Sequence, residues 1–95
     1  QSIAFAENLI QIGRINVILG DYAQADKSYL QGIELMEQKS KGNPSILAPS
    51  FNSYAIFQQT IGNYEKAKQY YYKAKNASAN NPSLNRYTNA PLLAF

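Results

Sequence analysis

The sequence predicts an all-α fold in which antiparallel helix pairs repeat along a solenoid. Three observations predict it. Shifted by 42 positions, the chain matches itself: Gly20 lands on Gly62, Tyr22 on Tyr64, Ala25 on Ala67 and Tyr29 on Tyr71. Within each copy, apolar and small residues recur three and four apart, the period of a helix face. Between them stand Gly-Asp, Gly-Asn and Asn-Pro pairs, which end helices. A self-match at such a period means stacked supersecondary units, each burying its apolar face against its neighbours.

The first helix is expected over about 3–19, apolar on most sides, as in a helix sandwiched between neighbours. Gly20-Asp21 breaks it. Asp21 is placed to accept backbone N–H bonds of the next helix, with Gln24 at the capping-box position. The second helix, about 22–39, carries Tyr22, Ala25, Tyr29, Gly32, Ile33 and Met36 on one stripe, and Ser40-Lys41-Gly42-Asn43-Pro44 ends it. The third, about 45–61, carries Phe51, Tyr54, Ala55, Ile56 and Phe57, with a kink or late start expected at Pro49. Gly62-Asn63 is the second break. The fourth, about 64–79, carries Tyr64, Ala67, Tyr71, Ala74 and Ala77 on one face and stops at Asn80-Asn81-Pro82. The match continues upstream, with Leu9 on Phe51, Ile12 on Tyr54 and Gly13 on Ala55. Ala48-Pro49 lands on Ala90-Pro91, so a third copy starts before Phe95. Repeat one covers about 6–40, repeat two about 45–81, and 82–95 holds a linker and the start of the third. Tyr70-Tyr71-Tyr72 and Ile15–Leu19 are β-prone runs, but neither alternates with period two between hairpin turns.

Composition excludes several functions. At 95 residues the chain has no room for a cleft between two domains. It has no Cys and no His, so no thiolate nucleophile, no imidazole base and no ordinary zinc ligands. The five glycines stand apart rather than in a phosphate loop, and the six carboxylates are spread along the helices. No apolar run is long enough to span a membrane. No enzyme, cofactor or metal site is expected.

The repeat resembles the tetratricopeptide repeat. That family sets a small residue midway along its first helix, then a Gly-Asp/Asn-Tyr turn, then Ala, an aromatic and a small residue along its second. The first copy supplies Gly13, Gly20-Asp21-Tyr22, Ala25, Tyr29 and Gly32; the second supplies Ala55, Gly62-Asn63-Tyr64, Ala67, Tyr71 and Ala74. The resemblance covers roughly residues 5–82. It implies an α–α superhelix in which small residues let paired helices approach and aromatics fill the gaps, with Tyr64 and Tyr71 in the core. The unit here is longer than the family's standard length and is similar to the long-repeat subclass of kinesin light chains and bacterial arrays. Repeats of this kind need about three copies for stability. The expectation is therefore a piece of a longer array, or ends covered by a second copy through the apolar Leu92–Phe95.

The resemblance also implies a concave groove lined by the first helix of each pair. It places Glu7, Ile10, Gln11, Arg14 and Ile18 there in repeat one, and Asn52, Ser53, Ile56, Gln59 and Thr60 in repeat two. Amide side chains suit an extended peptide because each offers a donor and an acceptor. Gln11 and Ser53 stand where the long subclass often has Asn. The basic clamp with which some relatives grip a terminal carboxylate is not matched, since Ile10 holds one of its basic positions and Arg14 another of its Asn positions. The implied function is a protein-interaction scaffold. The alternatives are a self-associating structural segment, or anion or RNA binding by Lys66, Lys68, Lys73 and Lys75 with Tyr70 and Tyr72 beside them. Those lysines read first as a solvated outer face, and nucleic acid is not the expected partner. Asn76-Ala77-Ser78 fits the glycosylation pattern but falls inside a predicted helix.

Overall fold

The computed structural model describes residues 2–41 and 43–79. These hold helices α1 (Ile3–Leu19), α2 (Tyr22–Lys39), α3 (Ala48–Thr60) and α4 (Tyr64–Ala77), and a 3-10 helix at Pro44–Leu47. No strand occurs among the described residues. The chain divides into two units, Gln1–Lys41 and Gly42–Phe95. One contains the pair α1–α2 and the other the pair α3–α4.

Each pair is made by one device. At the end of α1 the Gly20 N–H donates to the Val17 carbonyl (3.0 Å) and the Asp21 N–H to the Asn16 carbonyl (2.9 Å). The Gly62 N–H donates likewise to the Gln59 carbonyl (3.1 Å), and the Asn63 N–H to the Gln58 carbonyl (2.8 Å). Both turns need a left-handed residue, and Gly20 (φ 82°) and Gly62 (φ 89°) supply it. This explains why the glycine recurs with the repeat.

The starts of the helices differ. Ser2 caps α1 by accepting the Phe5 N–H (3.2 Å), and Asp21 caps α2 by accepting the Gln24 N–H (3.3 Å). The expected capping box is only half formed. The Asp21 N–H is already spent on Asn16, so the Gln24 side chain turns forward and donates to the Ser28 hydroxyl (3.4 Å). Pro49 does delay the third helix. Pro44 opens the 3-10 turn, and α3 begins at Ala48 with Pro49 in its first turn, where no intrahelical donor is needed. The fourth helix closes two residues before the expected 79. There the Ser78 N–H donates to Ala74 (3.1 Å) and the Ser78 hydroxyl to the Lys75 carbonyl (3.1 Å). Asn80-Asn81-Pro82 and the expected third copy lie outside the described residues.

In the first unit α1 buries Ala6, Ile10 and Gly13, while α2 buries Ala25, Tyr29, Gly32, Ile33 and Met36. The Tyr29 ring fills the space over Gly13, where a Cβ would lie 2.8 Å from ring carbon Cδ2. Gly32 faces Ile10 and the Ala6 carbonyl in the same way. In the second unit Ala55, Ala67 and Tyr71 form a buried cluster, with Tyr70 packed against it. The turn tyrosines do not join these cores. Tyr64 is 61% exposed and Tyr22 is also exposed, which corrects the placement of Tyr64. Each is the first residue of its helix, and a helical side chain leans toward the N-terminus, here off the end of the pair.

Candidate functional site

The residues expected to face a ligand lie on α1 in the first unit and on α3 in the second, and each helix is taken alone. On α1, Glu7, Gln11, Arg14 and Ile18 follow spacings of four, three and four and share a side. All four are exposed, Ile18 by 83%. An isoleucine that exposed, beside an amide and a guanidinium, offers apolar contact next to hydrogen-bonding groups. Ile10 is a correction. It is buried and faces inward, its Cδ1 2.8 Å from where a Cβ on Gly32 would sit.

On α3 the expected set separates. Ile56 is exposed, and Ser53 and Gln59 are half-buried. The Gln59 Oε1 accepts the Tyr71 hydroxyl (2.7 Å), so this amide ties α3 to α4 and keeps only its N–H groups for anything else. Thr60 turns its hydroxyl back onto the Ile56 carbonyl (2.8 Å). Asn52 is a second correction: it is buried, at the position equivalent to Ile10, and its Oδ1 has no hydrogen-bond partner among the described residues. An unsatisfied buried acceptor costs roughly 1–3 kcal/mol. Asn52→Leu is therefore expected to raise stability by about 1–2 kcal/mol, read as a higher urea midpoint at unchanged slope. A lower midpoint would show that the amide oxygen contributes to the fold.

Helix α4 carries an arrangement the sequence reading missed. Tyr70 packs edge-on to Tyr54 (4.6 Å between centroids) and to Phe51 (5.9 Å), so it is half-buried and not a free surface aromatic. The Lys73 ammonium sits 4.8 Å from the Tyr70 centroid and 5.7 Å from that of Phe51, and Lys66 lies 5.8 Å from Tyr54. The spacing of seven that aligns Lys66 with Lys73 thus lays both along an aromatic ridge, where each contact contributes about 0.5–1 kcal/mol. Two of the four lysines are engaged in this way, which weakens the anion-binding alternative. Tyr72 is half-exposed.

Nothing in these faces resembles a reaction centre. Asp21 is a helix cap, and burial raises the Tyr71 hydroxyl above its ordinary pKa of 10.0, away from any acid–base role near neutrality. Among the described residues no cluster of three carboxylates could hold a metal, and no helix is long and apolar enough to cross a membrane.

A family model described as tetratricopeptide repeat matches residues 6–38 and 48–81. No curated protein and no solved structure matches the chain significantly.

Proposed function

We propose, from the premise that the chain belongs to the tetratricopeptide-repeat family, that it is a protein-interaction scaffold gripping a partner's peptide or helix. Repeats of this family generally mediate protein–protein interaction. The contacts assigned here are Gln11, Arg14 and Ile18 on α1 and Ser53, Ile56 and the free amide N–H groups of Gln59 on α3. The observation that carries the reading is the exposure of Ile18 and Ile56, on the first helix of each pair, beside groups that can hydrogen-bond a peptide backbone. An apolar residue ringed by donors and acceptors is how a peptide site combines affinity with register. No reaction is assigned to these residues, in keeping with a family of non-catalytic scaffolds.

The test is selection of a displayed random-peptide library on the chain. Peptides should be enriched, and their affinity should fall about tenfold or more in Ile18→Asp and in Ile56→Asp, with circular dichroism unchanged. Lys27→Glu, on the exposed side of α2, should have no effect. Binding that survives both isoleucine changes would place the site elsewhere, and a library with no binders would remove the reading.

A further inference from the structure

Two side chains beside Ile56 have their hydrogen-bonding roles fixed from within the second unit. The Tyr71 hydroxyl donates to the Gln59 Oε1 (2.7 Å). Burial raises the pKa of that hydroxyl, so it keeps its proton and stays the donor at ordinary pH. An amide carries its oxygen and its nitrogen on opposite sides of one planar group. With the oxygen drawn to α4, the Gln59 Nε2 turns away from it, and N–H donors are what this side chain offers a ligand. Thr60 is the converse. It is exposed, and its one hydroxyl hydrogen goes to the Ile56 carbonyl (2.8 Å). Lone pairs remain on its Oγ1, so toward a ligand it accepts. Gln59 lies three residues after Ile56 and Thr60 four, which sets them on either side of that exposed isoleucine.

We propose that Tyr71 is a positioning residue that holds Gln59 as a donor, and that Gln59 and Thr60 together read the backbone of an extended segment of the partner. One residue of that segment accepts at its carbonyl oxygen from the Gln59 Nε2 and donates its N–H to the Thr60 Oγ1. An extended chain suits this pair. Each of its residues turns its C=O and its N–H to one side, as paired residues of antiparallel strands show when they exchange both bonds. A helix does not suit it, because the N–H and C=O groups of a helix are spent on each other. Ile56, between the two polar groups, takes an apolar side chain of the same segment.

The device belongs to the second unit. At the equivalent positions α1 has Val17 and Ile18, whose side chains neither donate nor accept. The inference rests on the peptide-binding reading. It goes beyond it by choosing an extended segment over a helix, by adding Thr60 to the contacts, and by giving Gln59 and Thr60 opposite roles.

The probe is the peptide most enriched from the displayed library, remade with each backbone amide in turn replaced by an ester. Each ester removes one N–H. In the parent, one ester should cost about fivefold or more in affinity, and that cost should vanish in Thr60→Val, which keeps the shape of threonine. Gln59→Glu still accepts the Tyr71 hydroxyl but offers no hydrogen, and affinity should fall about tenfold with circular dichroism unchanged. Gln59→Met, uncharged and of similar length, should lose about fivefold. Tyr71→Phe should weaken binding in the parent and add nothing in Gln59→Met, whereas a merely structural tyrosine would weaken both alike. Peptides that depend on Ile56 but bind Gln59→Glu and Gln59→Met as tightly as the parent would overturn the inference. So would esters that cost as much in Thr60→Val as in the parent, or peptides that bind as helices. These three results would leave the peptide-binding reading standing, whereas a library with no binders would remove both.

Discussion

Gly32→Val is expected to unfold the first helix pair, or to cost about 3 kcal/mol where the chain stays folded. A Cβ at Gly32 would lie 2.8 Å from the Ile10 Cδ1 and 2.9 Å from the Ala6 carbonyl oxygen. The isoleucine tip can rotate away, but the carbonyl is part of the α1 backbone. Relief therefore requires α2 to withdraw from α1, which also loosens Tyr29 over Gly13. Gly32→Ala separates packing from propensity. Alanine recovers about 0.5–1 kcal/mol of helix preference, whereas overpacking a close-packed seam costs about 1–3 kcal/mol. Its expected net effect is a loss of about 1–2 kcal/mol in urea melts. The second unit shows that this is a matter of spacing, because Ala74 is fully buried at the equivalent position. A Gly32→Ala chain as stable as the parent would mean that α1 and α2 separate without cost, and the close approach would lose its role in the pair.

The architecture was legible because the features that define it recur. Gly20 and Gly62 sit at the same phase of two copies and make the same left-handed turn, so one position explains the other. Small-for-small pairs such as Gly13 and Ala55 mark the seam for the same reason. Side chains present in one copy only were not legible. Gln59 accepts the Tyr71 hydroxyl, but its first-copy equivalent is Val17, which cannot, so the repeat carried no hint of the bond. Tyr70 stands where the first copy has Ser28, and the aromatic ridge with Lys66 and Lys73 therefore belongs to the second unit alone. Asn52 was misread because its residue type is polar. Its phase on the helix, shared with Ile10, is the better guide, and it points inward.

Tyr71→Ala is expected to unfold the second helix pair, at a cost of about 3–5 kcal/mol. Tyr71 is 1% exposed, and its ring packs in the cluster with Ala55 and Ala67. Those two partners are already the smallest side chains available, so neither can expand into the space left by the ring. Tyr71→Phe isolates the hydroxyl. It keeps the ring and removes the bond to Gln59, which is half-buried and can turn to water, so the loss of that bond should cost near 1 kcal/mol. The pair also predicts a pH dependence with a definite sign. Burial raises the Tyr71 pKa above 10.0, so near and above that pH the unfolded chain releases a proton that the folded chain keeps. Bound protons then favour the folded state less as pH rises, and stability falls. The contribution is whole below about pH 10, the unfolded value, and drains away as pH climbs toward the folded one. Urea melts from neutral to strongly alkaline pH should show this decline in the parent and a shallower one in Tyr71→Phe. In the parent, the Tyr71 hydroxyl should ionise as the helices melt, so that more of the tyrosinate absorbance follows the loss of helical circular dichroism than in Tyr71→Phe. Equal alkaline slopes in the two chains would show that Tyr71 titrates in the folded state as it does in the unfolded one, and its hydroxyl would then not be held in the seam between α3 and α4.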